Sequence, residues 1–232
     1  MSIQENLLKL RQRIALACNK VSRSCDALTL VAVSKGRSVD EIKELLALGI
    51  TDIGESKVQE ALVKFNEITS QRDNEQRIKW HLVGHLQTNK VKEAVRIFDL
   101  IQSVDSLRLA QEIDKQAAEI KKIQDILIEI KTSPETTKFG LLPLEAPDVI
   151  QEISKLKNLR VRGLMTIAPF VDEPEKARPY FRKLRDQMNE MTKKGVWSMG
   201  SGILSMGMSD DFEVAIEEGA NMVRIGRAIF GS

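Results

Sequence analysis

Residues 28–41 read LTLVAVSKGRSVDE, an apolar run that passes directly into a lysine, a glycine and a serine. The run has the β-branched composition of a core strand, and Ser38 with Glu41 three residues later forms a capping box that opens a helix. An open dinucleotide-binding sheet would carry G-x-G-x-x-G in the turn between them, and this turn carries Ser34-Lys35-Gly36 instead. The same strand-turn-helix grammar then repeats. Strands are predicted at 50–56, 77–84, 98–106, 125–133, 160–169, 202–209 and 221–228. Helices are predicted at 2–20, 38–49, 56–68, 105–122, 146–158 and 173–195, with Gly49 stopping the second. Eight short strands alternating with helices predict an α/β fold, a closed (β/α)8 TIM barrel, in a single domain over residues 1–232. The chain runs to IFGS just past the eighth strand, so the extra N-terminal helix is expected to cover what a last helix would have covered.

Composition narrows the partners. The chain has 35 basic and 33 acidic residues, interspersed, for a net charge of +2, so no one-sign field points to nucleic acid or a membrane. No apolar stretch has signal-peptide or membrane-spanning length, and the expected location is the cytoplasm. Cys18 and Cys25 are too few for a disulfide framework or a metal cage and read as free thiols. A small-molecule site is the default expectation.

In a barrel of this kind the chemistry gathers at the C-terminal ends of the strands. Lys35 sits at such an end, where a partly desolvated amine could attack a carbonyl; a bare strand-end lysine simply snorkels to water, so other residues must decide. The loops after strands seven and eight often build a phosphate site. The first contains Ser205 and Gly207, with a helix opening at 209–211. The second offers Gly226 and Arg227. Asp210 and Asp211 would repel a phosphate, so they are expected to cap the helix and point away. Arg224 shares the inward face of strand eight with Gly226 and, if buried, needs an acceptor: a phosphate, a carboxylate or a pyridine nitrogen. An amine, a phosphate cradle and a cation between them suit pyridoxal phosphate.

Eight segments in order, VAVSKG (31–36), IGESKVQE (53–60), KWHLVGHLQTNK (79–90), IQSVDS (101–106), KTSPETTKFG (131–140), RGLMTIAP (162–169), LSMGMSDDFEVAI (204–216) and VRIGRAIFG (223–231), make the chain resemble the pyridoxal phosphate homeostasis protein family, single-domain relatives of the alanine racemase barrel. The resemblance implies that Lys35 is the Schiff-base lysine and Arg224 the partner of the pyridine nitrogen. It assigns the phosphate to Ser205, Met206, Gly207, Gly226 and Arg227, and places Met165 near the ring. Ser56 stands where an asparagine would lie near the cofactor, Lys131 replaces another asparagine and could compete as a second amine, and Gln102 replaces a histidine. The resemblance also implies a monomeric carrier or buffer of pyridoxal 5'-phosphate, acting in vitamin B6 and amino-acid homeostasis, with no catalytic residues established. Amino acids and pyridoxal phosphate-dependent apoenzymes are its expected partners beyond the cofactor. A weak racemase or other Schiff-base enzyme and a cofactor-sensing interaction regulator are the rival readings.

His81, on the face opposite Trp80, reads as a core histidine with no titratable partner evident, and His85 as a solvated loop residue. Neither builds a metal site. Tyr180 packs within its own charged helix. A phosphosugar isomerase on this barrel lacks a recommended strand-end glutamate to serve as base.

Overall fold

A computed structural model describes residues 2–70, 77–135, 138–196 and 202–231. The strands are β1 (Thr29–Val33), β2 (Asp52–Glu55), β3 (Lys79–Leu82), β4 (Leu100–Val104), β5 (Gln124–Glu129), β6 (Leu159–Met165), β7 (Ile203–Ser205) and β8 (Met222–Ile225). They pair in parallel and in chain order, and β8 returns to β1, closing the barrel. The helices are α1 (Ile3–Lys20), α2 (Val39–Ala47), α3 (Val58–Ser70), α4 (Val91–Ile97), α5 (Leu107–Glu119), α6 (Ala146–Ile153), α7 (Arg178–Lys193), α8 (Phe212–Glu217) and α9 (Arg227–Phe230). The written signals operate: Ser2 and Ser38 each form a capping box, with Glu5 and Glu41, and Gly49 takes φ +82° past the end of α2.

Strand alternation sorts the core into two parts. Leu30 and Ala32 on β1, Ile53 on β2 and Trp80 on β3 face the helices and join the large outer core. Val31, Leu100, Leu127, Met165 and Met222 point inward and form a small apolar plug inside the barrel. Gly163 lets β6 and β7 meet, since a Cβ there would lie 2.1 Å from the Ile203 carbonyl oxygen.

A one-turn helix, α9, follows β8, so the expected absence of a last helix is corrected. α1 packs against both α8 and α9, where Asn6 Nδ2 donates to the Ile229 carbonyl at 2.9 Å and Arg13 pairs with Glu213 at 2.6 Å. Cys18 and Cys25 are free, and burial pushes the Cys18 thiol up to about 11. Among the described residues no helix is long and apolar enough to cross a membrane.

Candidate functional site

A cleft of about 470 Å³ opens at the C-terminal end of the barrel between the ends of β1, β2, β3 and β8. Alternation delivers its lining. Val33 and Lys35 continue the inward row of Val31, Ser56 that of Gly54, Val83 that of His81, and Gly226 that of Arg224. Lys35, Ser56, Arg224, Gly226 and Arg227 thus converge, joined by Arg37, Ile167, Met208, Ser209 and Phe230. The polar lining is cationic: Lys35, Arg37, Arg224 and Arg227 are its charged side chains among the described residues, and no carboxylate accompanies them. Gly84 presses against Ser56, and a Cβ there would lie 2.3 Å from the Ser56 carbonyl oxygen. A Cβ on Gly226 would come within 3.2 Å of the Val33 carbonyl, so backbone forms that wall.

Lys35 is exposed, which corrects the expected desolvated amine. It lies in a turn two residues past β1 and reaches over the cleft from its rim. The turn itself is gripped from below. Ser34 is buried and donates through Oγ to Glu55 Oε1 at 2.5 Å, Lys64 Nζ donates to the Ser34 carbonyl and to Glu55, both at 2.6 Å, and the Gly36 amide donates to Glu60 Oε1 at 2.5 Å. Lys64 also pairs with Glu60 at 2.8 Å, closing the clamp.

Arg224 is buried, as an inward strand arginine must be, and its acceptors are internal. Nη1 donates to Ser205 Oγ at 2.7 Å and Nη2 to the Thr166 carbonyl at 2.8 Å. Burial pushes its guanidinium down to about 10, opposed by Glu129 and Asp211, so it stays charged at neutral pH.

Ser205, Met206, Gly207 and Met165 do not line the cleft. The Ser205 hydroxyl is committed to Arg224 and Gln102, Met206 is buried in the outer core, and Met165 belongs to the interior plug. Gly207, at φ +92°, approaches α8, where a Cβ would lie 2.6 Å from that of Ala215. The loop offers Ser209 to the cleft instead, four residues past Ser205; its Oγ accepts from the Ala228 amide at 3.2 Å.

The two loop aspartates also depart from expectation. Asp210 turns toward the rim and pairs with Arg227, while the Asp211 side chain makes no capping bond to α8 and instead accepts from the Met208 amide at 2.6 Å. Burial raises the Asp211 carboxyl, against the pull of that amide and of Arg224.

On the other half of the mouth, a cavity of about 150 Å³ is lined by Glu129, Ile130, Lys131, Ser133, Lys138, Phe139 and Ile167, and only Ile167 is shared with the cleft. Lys131 therefore opens on a different space from Lys35. Glu129 is a strand-end glutamate after all: it ends β5, is 6% exposed, and its carboxyl makes no hydrogen bond among the described residues. Burial, then the charge of Asp105, push its carboxyl up to about 7 against the opposing pull of Arg224. His85 is more than a solvated residue, pairing with Asp105 at 3.2 Å and stacking on Phe139 with ring centroids 3.6 Å apart. His81 has the titratable partner that was not evident, Asp52, at 3.0 Å. Tyr180 lies under Lys183, with Nζ 5.7 Å from its ring. No group of three or more side chains suited to a metal ion occurs among the described residues.

A parallel barrel closed at eight strands, with its polar side chains gathered at one mouth, defines the class, and residues 4–232 match the alanine racemase, N-terminal domain family. The fold is shared with an alanine racemase of Clostridium difficile at a TM-score of 0.78 and 18% identity, covering 100% of this chain and 59% of that one. Greater similarity lies with shorter proteins. A pyridoxal phosphate homeostasis protein of Aquifex aeolicus is 41% identical over 100% of this chain and 98% of its own length, and one of Pseudomonas aeruginosa 35% identical over 100% and 96%. PipY of Synechococcus elongatus, solved with PLP bound, superposes at a TM-score of 0.85 with 34% identity, covering 99% of this chain and 100% of that one. The chain belongs to the pyridoxal phosphate homeostasis protein family.

Proposed function

We propose that the protein holds pyridoxal 5'-phosphate covalently on the Nζ of Lys35 and serves as a carrier or buffer in vitamin B6 and amino-acid homeostasis. The observation that carries this reading is the cleft itself, which sets one amine among three arginines with no carboxylate in the lining. Such a lining suits a phosphate ester dianion on a small aromatic aldehyde. When bound, the cofactor supplies an aldehyde that condenses reversibly with a primary amine.

The chain's own residues divide the remaining work. Arg224, fixed by Ser205 and Thr166, is the partner for the ring nitrogen, and as a donor that keeps its proton it leaves that nitrogen unprotonated. Gly226, Arg227 and Ser209 hold the phosphate, which must draw Arg227 away from Asp210. In this reading Ser56 bounds the cleft, Ser205 acts through Arg224, and Met206, Gly207 and Met165 shape the loop and floor behind the cofactor. The protein works as a monomeric single domain in the cytoplasm, exchanging the cofactor with amino acids or pyridoxal phosphate-dependent apoenzymes.

The test is uptake of pyridoxal phosphate by the purified protein, followed by borohydride reduction and mass mapping. The expected adduct lies on Lys35 and disappears in Lys35→Ala; an adduct on Lys131, or none, overturns the assignment. A second reading, slow Schiff-base chemistry on an amino acid, is favoured by Glu129, a buried carboxyl without a hydrogen-bond partner that faces the mouth. Hydrogen exchange at the amino-acid Cα, lost in Glu129→Gln, would support it.

A further inference from the structure

Beneath the cleft, five side chains from five strands form a single file across the barrel. Arg224 Nη1 donates to Ser205 Oγ at 2.7 Å, and Ser205 Oγ donates to Gln102 Oε1 at 2.6 Å. Gln102 Nε2 lies 3.1 Å from His81 Nδ1 and donates its other hydrogen to Met222 Sδ at 3.3 Å. His81 Nε2 lies 3.0 Å from Asp52 Oδ1. Ser205 and Gln102 are fully buried, and His81 and Arg224 nearly so.

The chemistry of the two ends fixes every proton between them. Arginine can only donate, so Ser205 must accept from it and spend its own hydrogen on Gln102. That places the glutamine carbonyl toward Ser205 and its amide toward His81, leaving His81 Nδ1 as an acceptor and Nε2 as the protonated nitrogen. Ionised aspartate can only accept, which agrees with the other end. Burial works against the charge of Asp52, but the His81 hydrogen bond, with Lys79 nearby, holds its carboxyl below the usual range. A second proton on His81 would reverse Gln102 and leave the Ser205 hydroxyl hydrogen without an acceptor in this file.

We propose that His81 and Gln102 are positioning residues whose one-way hydrogen-bond file locks the Ser205 hydroxyl and, through it, the orientation of the Arg224 guanidinium at the cleft. Neither touches the cleft, and their effect on cofactor binding rests on the reading that Arg224 meets the cofactor. Nitrogen-15 NMR of the cofactor-free protein tests the file by itself. At neutral pH, His81 is expected as the neutral tautomer with Nε2 protonated and Nδ1 bare; a protonated Nδ1 overturns the proposal. Gln102→Glu replaces a donor by an acceptor and is expected to bring a second proton to His81. In Gln102→Leu the Arg224 guanidinium signals, separated in the intact protein by restricted rotation, are expected to average, and pyridoxal phosphate affinity to fall roughly tenfold as the buried bonds are lost. Gln102→His restores both, because a neutral imidazole donates at one nitrogen and accepts at the other. Unchanged Arg224 signals in Gln102→Leu overturn the proposal even if the wild-type protein takes up no cofactor, a result that would overturn only the proposed function. The wild-type tautomer decides the matter should the variants fail to fold.

Discussion

Glu55 and Glu129 each end a strand at the barrel mouth, both are buried, and burial pushes both carboxyls up. Their surroundings differ. Glu55 meets Lys64 and Ser34 within 2.6 Å, and the three together hold the turn that presents Lys35. The Glu129 carboxyl has no hydrogen bond among the described residues and looks into open space near the half-shared wall at Ile167. A buried carboxylate that is paired belongs to the frame; one left unpaired at the same level marks a place where something else can bind.

The sharpest way to break this contrast is to remove the partner of the paired one. Lys64→Ala leaves Glu55 buried and uncompensated, and denaturant unfolding should show a loss of about 3–5 kcal/mol. Next comes the pH response of the unpaired one. Glu129 binds its proton more tightly folded than unfolded, so its contribution is fully present below about pH 4.5 and is lost as pH rises through about 7. The loss should approach about 3.5 kcal/mol, from roughly 1.4 kcal/mol per unit of pKa difference, and urea midpoints of Glu129→Gln should lack that decline. On the cleft side, Asp210→Ala frees the exposed Arg227 and should tighten pyridoxal phosphate binding by about two- to fivefold, read by titration of the visible spectrum. The smallest effect is expected at Lys131→Asn, where stability should stay within about 0.5 kcal/mol and the borohydride adduct should remain on Lys35.

The contrast also explains what sequence could disclose. The LTLVAVSKGRSVDE unit contains its own strand, turn and cap, so local rules read it, and its repetition gives the barrel. Strand parity correctly sends Arg224 inward, and the structure puts Ser205 and Met165 on inward faces as well. Parity gives a face but no height: Met165 lies level with Ser205 and Glu129 in the strand register, below the cleft, whereas Gly226 and Ser209 reach it. Height depends on the stagger of neighbouring strands, which no single segment records. The turning of Asp210 onto Arg227, the bond from Ser34 to Glu55 and the pairing of His81 with Asp52 each join separate units of the barrel, and charge patterning along the chain is silent on such meetings.

The clamp beneath Lys35 separates stiffness from access. Its backbone turn is tied at Ser34 and Gly36 by three hydrogen bonds, yet the amine stands in solvent at the rim. If Lys35 holds the cofactor as proposed, loading and unloading need no gate to swing, only rotation about side-chain bonds and the arrival of water or a competing amine. On the proposed reading, turnover of the cofactor is governed by bond hydrolysis and transimination and is insensitive to solvent viscosity, the kinetic behaviour of an open dock.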